Sequence, residues 1–279
     1  MLGKIERATV GQKIVFYLVM AFLSAIMIYP FFFALTTSLK DSPEVFANII
    51  KPLGEMLRFE NYATVLSSVN MGRYLLNTGM VAVAVTIGQI ITSILGGYAF
   101  ARIRFPGRDL IFRLYLGTMM IPFVVIMIPT YRLMLAFGWV DKLVALIIPW
   151  IFTAYGTFLM RQFFAGLPRE LEEAALIDGA SRLTTLRKIF VPLAGPAIAT
   201  QFTISFLYAW NSFLWPLVAI QSKTNYVVTL GLADIQGGYH ANPPIVMAGA
   251  TLAILPTVLV FLMAQRYFVE GIATTGLKG

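Results

Sequence analysis

Cysteine is absent from all 279 residues. That removes disulfides, thiolate nucleophiles and thiolate metal ligands, and leaves the cysteine count silent about compartment. Histidine occurs once, at His240, with no cysteine or carboxylate neighbours at ligand spacing. A metal role for it is not expected, and a lone histidine in a loop does not assemble a Ser-His-Asp site. No G-x-x-x-x-G-K-[ST] loop occurs, so the chain does not hydrolyse ATP by that route. Charge is scarce at 12%, about half that of an ordinary soluble domain. The long apolar runs carry no acid or base in their cores, where ion-coupled carriers usually keep one. If this chain moves a solute uphill, the energy arrives through another protein.

What is present is 58% hydrophobic residue, too much apolar surface for a soluble chain of this length to hide. Six runs are long enough to cross ~30 Å of hydrocarbon as helices, within residues 14–36, 75–100, 112–134, 143–163, 197–220 and 245–265. The reading is an all-α polytopic transmembrane bundle, a single transmembrane domain over residues 1–279. The first run is too long for a signal-peptide core and lacks a cleavage pattern after it, so it is expected to stay as a span. The net charge of +8 flanks these runs instead of forming a patch, which excludes a nucleic-acid partner and points to membrane lipid. Twice as many Lys and Arg lie on the side holding both termini and the 161–195 loop, so those segments of a multi-pass chain are expected in the cytoplasm. Ala84, Gly88, Thr92 and Gly96 form a small-residue stripe for close helix approach. Prolines 30, 122, 129, 149 and 256 lie inside runs, where each can kink a helix.

The longest charged interval is LPRELEEAALIDGASRLTTLRKIFVPL, residues 167–193. Pro168 suits a first helical turn, Glu170, Glu172 and Glu173 complement the positive end of the helix dipole, and Gly179 suits a left-handed cap. That predicts a helix over about 168–178. Ser181 caps a second helix carrying Leu183, Leu186 and Phe190 on one side and Arg187 and Lys188 near its end, with Pro192 stopping it. The first helix is expected to expose Ala174 and Ala175 beside Glu173, a low surface with a carboxylate for a partner's groove. From the residues alone, an amphipathic hairpin resting on lipid headgroups fits as well.

Glu173-Ala174-Ala175, three residues, Gly179, nine residues, Ile189, then Val191-Pro192 resembles the EAA motif of binding-protein-dependent ABC importer permeases, E-A-A-x3-G-x9-I-x-L-P, departing from it at Val191 where Leu is usual. The stretches AWNSFLWPL (209–217) and QRYFVEGIATTGLKG (265–279) are similar to the second permease of carbohydrate importers of the maltose and glycerol-phosphate kind. For AWNSFLWPL, Trp210 and Trp215 are equally suited to an interfacial aromatic belt.

The resemblance implies that the hairpin is a coupling helix, with Glu173, Ala174, Ala175, Asp178, Gly179 and Ala180 seated on an ATPase. It implies a C-terminal tail, with Gly271, Thr275, Gly276 and Lys278, lying between two ATPase subunits. It implies a heterodimer with a paralogous permease, two ATP-binding-cassette subunits and an extracytoplasmic solute-binding protein. ATP and Mg belong to those partners, and this chain is expected to bind no cofactor and to be a transport subunit, not an enzyme. The transported solute is then a sugar, oligosaccharide or polyol phosphate. An amino-acid or peptide ABC permease would share the hairpin without this tail, and a free-standing channel would need neither.

In the fifth run Gln201, Ser205, Tyr208, Ser212 and Trp215, spaced 4, 3, 4 and 3 apart and flanked by Asn211, would share one stripe of a continuous helix. Phe202, Phe206, Leu207, Phe213 and Leu214 would face lipid or packing. The stripe suits a sugar path, amides and hydroxyls for the sugar's hydroxyls and a ring for its C–H face, or bonds to neighbouring helices at about 0.6 kcal/mol each.

Overall fold

Proline and polar side chains decide where the long apolar runs break. The computed structural model describes residues 9–47, 51, 53–239 and 242–275, with side chains as far as 265, and among these residues no strand occurs. α1 (Val10–Ser38) starts from a capping box in which Gln12 N donates to Thr9 Oγ1 at 3.4 Å and Thr9 N donates to Gln12 Oε1 at 3.0 Å. After the short α2 (Ser42–Ala47) and α3 (Glu60–Ser67), α4 (Met71–Arg102) runs 32 residues without a break.

α5 (Arg108–Gly117), continued by a 3₁₀ turn to Met120, meets α6 (Phe123–Ala136) at 99°. The expected third span, 112–134, is therefore two half-helices. Pro122 donates no N–H and pushes Ile121 out of helical geometry, to ψ 115°. α7 (Val144–Ile147), with its 3₁₀ turn through Pro149, meets α8 (Ala154–Ala165) at 41°. α9 (Glu170–Ile177) and α10 (Arg182–Leu193) form the hairpin, and α10 meets α11 (Gly195–Trp210) at 79°. α12 (Leu214–Ala219), α13 (Val228–Gly238) and α14 (Pro243–Thr275) complete the chain. Among the described residues three helices are long and apolar enough to span alone, and the number reaches six when each bent pair is one span.

The fifth run departs most from expectation: its helix ends at Trp210, not at 220. A helix continued through Pro216 would drive the ring into the carbonyl of Ser212, four residues back. The chain breaks at 211–213 instead, and Ser212 O accepts from Thr229 Oγ1 at 2.7 Å. Pro192, expected to stop α10, does not. The turn before it widens to π geometry over Leu186–Phe190, which accommodates the missing donor, and the axis changes at Ala194.

The chain divides into two compact units. In Met1–Asn70 with Leu232–Ile254, α1 is exposed along nearly its whole length, a surface that hydrocarbon or another apolar helix accommodates. Its end is tied by Asn61 Nδ2, which donates to Ser38 O and Lys40 O at 2.8 and 3.0 Å. In Met71–Gly231 with Leu255–Gly279, the small stripe of α4 receives the chain around α8. A Cβ on Gly88 would lie 2.8 Å from Ile151, and one on Gly97 would lie 2.5 Å from the Cβ of Met160. Carbonyls freed at the α7–α8 bend are met by α4 side chains: Gln89 Nε2 donates to Trp150 O and Thr92 Oγ1 to Ile151 O, both at 2.7 Å. One apolar core gathers around Val85, Leu146 and Trp215, another around Tyr98, Phe164 and Phe190. Along α4 a polar crossing lies between them.

Candidate functional site

Local rules shape the hairpin. Helix α9 begins at Glu170, two residues after Pro168, with three glutamates in its first turn. It ends in a Schellman motif: Ala180 N donates to Ala175 O at 2.9 Å and Gly179 N to Leu176 O at 3.0 Å, with Gly179 at φ +76°. Ser181 caps α10 by accepting from Thr184 N at 3.2 Å.

Not every expected face is outward. Glu173, Ala174, Asp178 and Gly179 are exposed and Ala180 is half-buried, but Ala175 is only 6% exposed and packs into its own chain. Leu183, expected on one side with Leu186 and Phe190, is exposed while those two are buried. Ile177, 86% exposed, extends the Glu173–Ala174 surface one turn on. Its position three residues from Ala174 is the signal in the sequence, and the motif overshadows it.

Glu172 faces inward. Its Oε2 lies 3.8 Å from Nη1 of Arg102 at the end of α4, and its Oε1 accepts from the Tyr98 hydroxyl at 3.4 Å. Arg102 also donates to Phe164 O at 3.1 and 2.6 Å and to Leu167 O, and its guanidinium stands 5.0 Å over the Phe190 ring. Sequence reasoning counts Arg102 as a topology charge and misses this junction.

The polar stripe of the fifth run divides. Gln201, 1% exposed, donates through Nε2 to Ser93 Oγ at 2.7 Å and Gln89 O at 3.1 Å, and Ser205 is buried too. Gly156 makes room for this crossing, since a Cβ there would collide with Gln201 Nε2 and Ser93 Oγ. Gln201 and Ser205 do not reach the cavity. Tyr208, Asn211, Ser212 and Trp215 do, lining a volume of about 300 Å³ with Val81, Val85, Phe123, Leu146 and Trp150.

Phe213 and Leu214 border it as well, but at 42% and 41% exposure both keep the outward surface expected of them. Phe206, by contrast, is buried and stacked on Trp210 at 5.5 Å. Neither tryptophan of AWNSFLWPL is a surface belt residue in this fold, both being buried. Phe123, Trp150 and Trp215 form an edge-to-face triad with centroids 5.3 to 6.3 Å apart. Trp215 Nε1 donates to Ala145 O at 2.9 Å, so this residue offers a ligand ring surface and no free donor. Among the described residues, no charged side chain lines this cavity. The arrangement suits an uncharged ligand with C–H faces and hydroxyls.

Beside the same core, Asp141 at φ +62° ties down the segment after α12. Its carboxylate accepts from the Ser222 hydroxyl, from Ser222 N at 2.8 Å and from Gln221 N at 2.9 Å. These bonds, the hydroxyl's first, hold its pKa below the ordinary carboxylate value. Of the C-terminal residues, Gly271 and Thr275 lie on the helical backbone of α14, while Gly276 and Lys278, like His240, lie outside the described residues.

Residues 90–274 match the family described as binding-protein-dependent transport system inner membrane component. The chain belongs to that family. Along 93% of its length it is 33% identical to the arabinooligosaccharides transport system permease protein AraQ of Halalkalibacterium halodurans, covering 94% of that protein. It is 35% identical to the sn-glycerol-3-phosphate transport system permease protein UgpE of Rhizobium meliloti over 90% of this chain and 92% of that one. In fold it matches a chain of a bacterial ABC transporter involved in import of the acidic polysaccharide alginate, with a TM-score of 0.82, 24% identity and coverage of 94% and 99%. Like these family members it is a multi-pass membrane permease.

Proposed function

We propose that this chain is the permease subunit of an ABC importer that passes a neutral saccharide into the cytoplasm, driven by separate ATPase subunits. Family membership supports the importer reading. The carrying observation for the coupling role is the outward face of α9, where Glu173, Ala174 and Ile177 stand exposed on a capped hairpin. An isoleucine this exposed on a hairpin rich in charge is suited to a partner's groove, and the neighbouring carboxylate to a partner's Arg or Lys. Both termini and the hairpin face the cytoplasm in this reading. The other half of the pathway comes from a paralogous permease, and an extracytoplasmic binding protein delivers the sugar. ATP and Mg are bound by the ATPase pair, which the C-terminal residues Gly271 to Lys278 also touch.

The relatives include permeases named for arabinooligosaccharides and for sn-glycerol-3-phosphate. The uncharged, tryptophan-rich cavity favours the first chemistry for this chain's own contribution, since a phosphate buried without a cation is strongly disfavoured. The test is purification through a tag on this chain, followed by reconstitution. An ATP-binding-cassette subunit should co-purify, and the binding protein encoded beside it should be titrated with arabinotriose, maltotriose and glycerol-3-phosphate. Solute flux without any ATPase would replace this reading by a channel, and preference for an amino acid or peptide would move it to another importer class. Labelling of Ser181→Cys by an impermeant reagent from outside intact cells would reverse the orientation.

A further inference from the structure

Glu172 and Glu173 are adjacent, so on a helix they point about 100° apart, and here one faces the spans and the other faces out. The inward one meets Arg102, whose side chain is 5% exposed against 19% for Glu172. Four elements converge on this guanidinium. It belongs to the last turn of α4, bonds the carbonyl of Phe164 in α8 and that of Leu167 just beyond it, pairs with Glu172 of α9, and lies over Phe190 of α10. A buried ion pair is weak grounds for stability, because desolvation consumes most of the Coulomb attraction. What a guanidinium adds is geometry: its planar fork, bonded to the carbonyls of Phe164 and Leu167, holds in one place and one orientation the charge that faces Glu172 at 3.8 Å. The surrounding contacts of Tyr98, Phe164 and Phe190 are apolar and edge-to-face, at 5.3 to 6.3 Å, and such contacts are less directional than the fork.

Resting on the reading of α9 as the ATPase-facing helix, we propose that Arg102, paired with Glu172, is the positioning residue that makes displacement of the hairpin move α4 and α8 with it. The same α4 carries Val81 and Val85 into the cavity, and Trp150 lies just before α8. A hairpin moved at Glu173 and Ile177 therefore reshapes the cavity through one side chain. Without the fork, the hairpin slides over its aromatic seat and the movement stops there.

The test uses the complete complex captured through this chain, with Ala209→Cys on the cavity wall as the chain's single thiol. Maleimide labelling of that thiol is measured with and without vanadate-trapped nucleotide. In the parent chain the labelling rate should change at least about fivefold, the low end of allosteric coupling. In Arg102→Gln and in Glu172→Gln, ATP hydrolysis should persist while that change shrinks to less than about twofold. Arg102→Lys, which keeps the charge without the fork, should restore only part. Leu186→Ala, which loosens the same joint without touching the fork, should keep the full response.

A full response in assembled Arg102→Gln or in Glu172→Gln overturns the proposal, as does equal loss in Leu186→Ala, which would make the joint merely structural. If Arg102→Gln does not assemble, Glu172→Gln and Arg102→Lys decide by the same criteria. Absence of any ATPase from the captured parent complex would instead overturn the importer reading, and this proposal with it.

Discussion

The hairpin and the cavity belong to one compact unit and are built in opposite ways. α9 and α10 take their shape from neighbours in sequence: acids in the first turn, a left-handed glycine, a serine cap. The cavity takes its walls from α4, α6, the α7–α8 bend and the 211–216 break, segments over a hundred residues apart. Local rules make a part whose caps and turn need no distant segment. Long-range packing makes a part whose shape depends on how helices cross, and which is therefore open to control through those crossings.

The largest expected effect falls on the crossing that both regions share. Gly156→Leu would drive its side chain into Gln201 and Ser93, and should lower stability by about 3 kcal/mol or prevent assembly. Gly79, where an added Cβ would meet nothing within 4 Å, supplies the contrast: Gly79→Ala should be neutral or stabilising by up to about 1 kcal/mol. Thermal unfolding of the two variants in detergent checks both, and equal melting would mean that the crossing is loose.

Next comes the hairpin's exposed face. Ile177→Asp should leave melting within about 0.5 kcal/mol of the parent chain, as surface changes do, while co-purification of the ATPase falls severalfold. Unchanged co-purification would show that α9 works without its apolar tip.

Trp215→Phe probes the cavity in the same manner. It strands the buried carbonyl of Ala145 and should cost about 1 to 3 kcal/mol. Sugar-dependent flux should fall while the ATPase stays bound, the converse of Ile177→Asp. Flux at the parent level would place the saccharide elsewhere.

The smallest effect concerns Asp141. Its carboxyl is held below its ordinary value of 3.8, so its bonds to Ser222 and Gln221 stabilise the folded state fully above the ordinary carboxylate range. That contribution declines as pH falls past the unfolded value and is lost once pH drops through the lowered folded pKa. Between about pH 6 and pH 3 the parent chain should therefore lose stability that Asp141→Asn, less stable at pH 6, does not lose. Parallel melting curves across that range would remove Asp141 from the acid response.

Particular residues show how far the sequence can be read. Gly179 and Ser181 are legible because a cap depends on groups within five residues of each other. The stripe of Gly88, Thr92 and Gly96 is legible as a contact face, though not its partner, the chain from Ile151 to Thr157. Tyr208, Asn211, Ser212 and Trp215 stand out as lining residues on the assumption of a straight helix. Tyr208 lines the cavity from the last turn of α11 and the other three from the break beyond it, while Gln201, which rests on the same assumption, is locked in a crossing and Ser205 is buried. Pro216 is the available warning. Arg102 and Glu172 carry no comparable signal, because a charge's partner 70 residues away leaves no local pattern.

By itself the sequence determined that the chain is helical and lives in a membrane, and where the hairpin turns. Those follow from hydropathy and capping, properties of neighbouring residues or of composition. The tertiary structure decided which prolines break a helix and which are absorbed, which glutamate faces inward, and which aromatic rings close on one another around about 300 Å³. Each of those depends on a carbonyl, a ring or a guanidinium finding its partner on another helix, and only packing brings such partners within bonding distance.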